Sequence, residues 1–168
     1  MTEQLASSLV TFFGDTIPAE LTVFLVSLLP VLELRGGLIA AKLLGLNLVK
    51  AFIICFIGNI LPVPFIILFI KKIFAFMRRF KVFDKMLDKL EAKGDKNKDK
   101  ILKYKEWGLL AFVAIPLPGT GAWTGALIAA LLDLRMKKSF PIISIGVLIA
   151  GLIVSLIAYG IPYIAGLM

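Results

Sequence analysis

Four long apolar runs, at positions 21–48, 51–70, 109–132 and 140–168, divide the chain, and its charged residues gather between them. A helix needs about 20 apolar residues to cross the hydrocarbon core of a bilayer, so each run suffices on length. Two runs are interrupted. The first carries Pro30, Glu33, Arg35, Gly36 and Gly37; the third carries Pro116, Pro118, Gly119, Gly121 and Gly125. Proline removes a backbone donor and glycine loosens a helix, so both runs are predicted to break near mid-depth. The second and fourth read as spanning helices.

A broken run either crosses or turns back to the side it entered, and the cationic residues choose between these. Lys and Arg collect on the cytoplasmic side of a membrane. The stretch 71–105 holds thirteen of the nineteen basic residues and is placed inside. If all four runs crossed, Arg135, Lys137 and Lys138 would fall outside with Lys42 and Lys50. If the two broken runs are re-entrant hairpins, Arg135, Lys137 and Lys138 join the basic linker inside. Only Lys42 and Lys50 then stay outside, beside acidic Glu3, Asp15 and Glu20. The re-entrant arrangement fits the bias better.

A repeat points the same way. Gly36-Gly37-Leu38-Ile39-Ala40-Ala41 echoes Gly125-Ala126-Leu127-Ile128-Ala129-Ala130, 89 positions later. Each copy is followed by a short connection and an unbroken run. Each half then has one hairpin and one crossing, so the halves enter from opposite sides, as in secondary transporters with broken helices at a midplane site. The expected fold is an all-α integral membrane protein with two re-entrant helical hairpins and spanning helices in an inverted-topology repeat. Its expected organisation is an interfacial N-terminal helix (1–20), a first repeat (21–70), a basic linker with an amphipathic helix (71–106) and a second repeat (107–168).

Composition removes the alternatives. The chain is 60% hydrophobic over 168 residues, against about 45–50% in soluble domains, and a chain this small cannot hide such an excess. There is no histidine, and the single cysteine, Cys55, lies in an apolar run. Imidazole triads, His metal sites, disulfide frameworks and Cys-based metal centres are thereby excluded, and neither an enzyme nor a cofactor is expected. The first twenty residues lack a basic n-region, so a cleaved signal peptide is not expected. The net charge of +8 is read as topology and not as a nucleic-acid surface. Asp95, Asn97, Asp99 and Glu106 mimic EF-hand positions, but Lys100 stands where the loop requires glycine, so a solvated linker is expected.

The candidate site lies in the two breaks. Charges at membrane depth cost at least about 2.5–3.5 kcal/mol each on insertion scales, so Glu33 and Arg35 must meet partners, water or one another. In the second break, Pro116, Pro118, Gly119 and Gly121 build an unwound turn after which a helix restarts. Its first N–H groups form an anion site to which Thr120 and Thr124 add hydroxyls, with Trp123 as cavity wall or interfacial anchor. Gly36 and Gly37 belong to the first-break motif Glu33-Leu34-Arg35-Gly36-Gly37. Asn59 is a polar candidate within the second run, with interhelical hydrogen bonding as its plainer role.

The pairing of LPVLELRGGLIAA with IPLPGTGAWTGALIAALL resembles the small multidrug export protein family of bacteria and archaea, and more distantly the DedA superfamily. The resemblance covers nearly the whole chain. It implies a multi-pass protein of the cytoplasmic membrane, two re-entrant hairpins, lipid translocation, and proton or sodium coupling. Glu33 and Arg35 resemble the hairpin carboxylate and arginine, and Pro118-Gly119 resembles the Pro-Gly step. Thr120 stands where an acidic residue is common, and the second hairpin's arginine pair is missing.

The leading expectation is a transporter or flippase for an amphipathic anion such as a polyprenyl phosphate or phospholipid, with Arg35 and the N–H-rich turn as headgroup site and Glu33 as coupling carboxylate. The second is an exporter of small lipophilic cations, for which the first motif lacks aromatic walls. The third is a scaffold without transport. Expected partners are membrane lipid, a lipid or small-molecule substrate and H+ or Na+; a homodimer stays open.

Overall fold

The computed structural model describes residues 17–77, 106–117 and 119–160, together with positions 88, 89, 92 and 166. The expected interfacial helix at the N-terminus and the amphipathic part of the linker lie almost wholly outside these residues. So do Pro118 and all of the EF-hand mimic except Glu106. Among the described residues the chain is helical, without strands: α1 Ala19–Leu28, α2 Glu33–Leu43, α3 Leu48–Ile60, α4 Val63–Met77, α5 Glu106–Ala114, α6 Ala122–Leu131 and α7 Met136–Ser155, which continues into a π-helical turn, Leu156–Gly160.

The first and third apolar runs are each broken into two short helices, α1/α2 and α5/α6. The second run continues through Pro62 and Pro64 as a 23-residue apolar stretch, Leu48–Ile70, and the fourth as a 25-residue stretch, Met136–Gly160; both are long and apolar enough to cross a bilayer.

Much of the interior is small: Ala40, Ala41, Ala51, Ala122, Ala126 and Ala129 are fully buried, while Ile53, Ile57, Phe65, Leu68, Leu152 and Leu156 are exposed. In water such an apolar exterior drives aggregation. In lipid it costs nothing, and association rests on close backbone packing over small residues. The membrane assignment therefore stands on the surface as well as on helix length.

The two halves share contacts residue for residue. Lys50 pairs with Glu20 at 2.6 Å, and Lys138 with Glu106 at 2.7 Å. A side chain at Gly58 would meet the Phe24 carbonyl, and one at Gly146 the Leu110 carbonyl. One at Gly37 would strike Ser27, and one at Gly125 would strike Val113. Both α2 and α6 end in the same reversal. Leu46 N–H donates to Ala41 O and Leu134 N–H to Ala129 O, each at 2.9 Å, with Gly45 and Asp133 at φ of 69° and 54°. The equivalent positions in these helices are therefore 88 apart, one fewer than the motif echo in the sequence implies. Packing and capping set this register, while the letter match GGLIAA/GALIAA slides by one residue.

The long helices α3 and α7 run in opposite directions. Gly151, late in α7, packs on the ring of Phe52, early in α3. Lys42 Nζ, just before α3, donates to Ala158 O at 2.5 Å, and Tyr159 O–H donates to Leu38 O at 3.3 Å. Helix α4 leaves its own half to pack on α6, so the halves interlock around the two breaks.

Gly37→Ala should lower the melting temperature in detergent, because the added methyl overlaps Ser27 Oγ and crowds Cys55 Sγ; overpacking of this kind costs about 1–3 kcal/mol. Adding Ser27→Ala should recover part of the loss in the same thermal scan, and no recovery means the glycine is required for another reason.

Candidate functional site

The two breaks meet at the centre of the molecule. Glu33 opens α2 at φ 51°, a left-handed conformation that is strained for a glutamate. That backbone turns its carboxylate toward the second break and also allows Glu33 and Arg35, two residues apart, to touch: Arg35 Nη2 lies 3.3 Å from Glu33 Oε2. On a regular helix, residues at that spacing do not face each other.

Arg35 then reaches across. Its Nη1 donates to the Leu117 carbonyl and its Nη2 to the Thr120 carbonyl, both in the second break. The peptide oxygens exposed by the unwinding around Pro116 are thus satisfied by a guanidinium from the other half, which has donors enough for several acceptors. Thr120 closes the turn from within: its hydroxyl lies 2.6 Å from Ile115 O and 2.8 Å from Leu117 O, and it accepts from Leu117 N–H at 3.2 Å.

Helix α6 restarts at Gly121, which has no side chain to cap it. The cap comes from Glu33: Trp123 N–H donates to Glu33 Oε1 at 3.3 Å. The helix start foreseen as an anion site is capped by the chain's own carboxylate. Gly121, at φ 141°, leaves the space for it, since a Cβ there would overlap Glu33 Oε2. Glu33 is only 4% exposed. It lies at the N-terminal, electropositive ends of both α2 and α6, where a negative charge is stabilised.

The remaining predicted residues divide. Gly36 and Gly37 are buried on α2, packed against Leu32 and against Ser27 with Cys55. Asn59 is 2% exposed and lines a small cavity with Glu33, Arg35, Pro116 and Gly121. Gly119, exposed at φ 81°, makes the turn. Thr124 is half-buried and does not line that cavity. The Trp123 indole N–H donates to Leu28 O at 3.2 Å, and the residue walls a second, larger space.

That space is a groove of about 530 Å³ lined by Leu28, Leu61, Pro62, Phe65, Phe69 and Trp123, among others. Its volume is in the range of ligand pockets, and its walls are apolar and aromatic. Sequence reasoning did not find it. Phe65 and Phe69, one helical turn apart just after Pro62 and Pro64, were the available signal.

The fold and the site define an all-helical membrane protein centred on a buried carboxylate–guanidinium pair between two helix breaks. The chain belongs to the family described as "Putative small multi-drug export protein", whose family model matches residues 33–153. No curated protein and no solved structure matches it.

Gly121→Ala should uncouple the centre, because its methyl expels the Glu33 carboxylate. In a double-mutant cycle with Glu33→Ala, the unfolding free energies should be non-additive by about 0.5–3 kcal/mol, as for residues in contact. Additive losses would mean that Gly121 matters through its backbone conformation alone.

Proposed function

We propose that the protein is a membrane transporter for amphipathic anions, the apolar body of the substrate lying in the groove beside Trp123 and its anionic head taking the seat that Glu33 fills. The observation that carries this is the Glu33 carboxylate on the α6 N-terminus and on Arg35. The donors that hold it, a guanidinium and helix N–H groups, are those that bind phosphate and carboxylate elsewhere. A carboxylate and a substrate anion compete for one set of donors. Protonating Glu33 removes its charge and frees them, so substrate and proton bind together and move together. The substrate class is that of phospholipids or polyprenyl phosphates, and the coupling ion in this reading is the proton; sodium would serve only by a separate site.

In this reading the breaks α1/α2 and α5/α6 are re-entrant hairpins, and the matched contacts of two antiparallel halves support an inverted-topology repeat with its axis in the membrane plane. Alternating access then follows from one half moving against the other. The family description favours a second substrate class, small lipophilic compounds, and the aromatic groove walls suit a lipophilic cation.

Glu33→Gln separates the two. The glutamine should still bind an anionic lipid in purified protein, while uptake into liposomes should lose its dependence on a pH gradient. A cation exporter should instead lose its substrate outright in the same variant. Transport of anionic lipid by Glu33→Gln that stays fully gradient-driven overturns the coupling role, and the pair is then structural. Arg35→Lys should rescue Arg35→Ala poorly, since a lysine cannot bridge Leu117 O, Thr120 O and Glu33 together.

Topology has its own test. In a Cys55→Ala background, single cysteines at Lys96 and Lys138 should react with an impermeant thiol reagent from the cytoplasmic side, and one at Lys50 from outside. Labelling of positions 96 and 138 from opposite sides would make the broken runs true crossings and end the inverted-repeat reading.

A further inference from the structure

Beside Glu33 is a cavity of about 10 Å³ whose walls include Glu33, Arg35, Asn59, Val113, Gly121 and Ala150. It has the volume of about one water-sized sphere. Asn59 is 2% exposed, and its Oδ1 has no hydrogen-bond partner in the protein. A buried acceptor left in this state is costly, and native proteins satisfy nearly all such groups with protein or with ordered water. Here an orphaned acceptor, a carboxylate and a guanidinium line one water-sized space.

We propose that this cavity binds a single water molecule, held by Asn59, that hydrogen-bonds Glu33 and makes Asn59 the positioning residue for the carboxylate. The water donates one hydrogen to Asn59 Oδ1 and the other to Glu33, and it accepts from Arg35. This gives it three partners, the usual number for a buried water. A bare metal cation suits the space less well, because the Arg35 charge lies on the same wall and opposes it. The other titratable groups on the elements packed against α2 do not line the cavity: Glu20 on α1, Lys50 and Cys55 on α3, Lys137 and Lys138 on α7, and Tyr159. The position of Asn59 explains why an amide is useful inside a spanning helix. At the equivalent place in the second half stands Val147, which lines the same cavity, so one half contributes the polar group and the other the apolar wall.

The inference concerns the site of the proposed transporter but is tested without transport, so failure of either leaves the other standing. Infrared difference spectra of the purified protein, without substrate, should show an internal-water O–H band that moves when H216O is replaced by H218O. The Glu33 carboxylate bands, assigned with Glu33→Gln, should shift in Asn59→Leu. They should shift in the same direction in Ala150→Val, which fills the cavity and leaves both polar residues in place. Both variants should lose the water band. The wild-type isotope measurement needs no variant to fold. Absence of an isotope-sensitive internal band overturns the proposal. So does a carboxylate shift in Asn59→Leu alone, which would signal direct contact, and so does a raised melting temperature in Asn59→Leu, which would signal a dry cavity with an unpaired acceptor.

Discussion

One carboxylate placed between two helix N-termini holds the centre of this molecule together. Unwinding a helix inside a membrane exposes peptide groups that lipid cannot satisfy. Here the exposed carbonyls of the second break are taken by Arg35, and the uncapped start of α6 is taken by Glu33. The charges that would be prohibitive alone compensate one another and the helix ends. Removing either partner strands the other along with the backbone of the opposite half.

The packing of the rest serves that meeting. Small residues let α1 approach α2 and α3, and let α5 approach α7, closely enough to bring both breaks to one level. The matched ion pairs Lys50–Glu20 and Lys138–Glu106 lie at the starts of α3 and α7. Because these helices are antiparallel, the pairs mark opposite ends of the bundle. They are exposed and contribute little each. The halves differ at the centre: Glu33 corresponds to Gly121, and Arg35 to Trp123. A symmetric pair of glutamates would bring two like charges together; a glutamate facing a glycine gives one carboxylate a seat with room for it.

The family membership and the site fit without being the same statement. The family description concerns export of small compounds. The donor set around Glu33 is chemically an anion seat, and the groove beside Trp123 is apolar and aromatic. The proposed amphipathic substrate would use both.

Much of the architecture was legible in the chain. Apolar run length, the positions of proline and glycine, and the isolation of Glu33 and Arg35 in an apolar run determine where helices form, where they break and which charges need partners, because these are local consequences of backbone chemistry and desolvation. The letter echo of GGLIAA with GALIAA was legible too, but the 88-residue offset between matching caps of α2 and α6, in place of 89, came from side-chain packing and helix caps, which a match of letters does not weigh. The identity of the partners was not local. That Arg35 closes the second break, that Glu33 caps α6, that Gly121 leaves space to admit it and that Phe65, Phe69 and Trp123 form one groove are facts about residues brought together from distant positions. Only the three-dimensional approach of the two breaks decides them, since the donors and acceptors a break exposes can be satisfied by any group that the fold brings within reach.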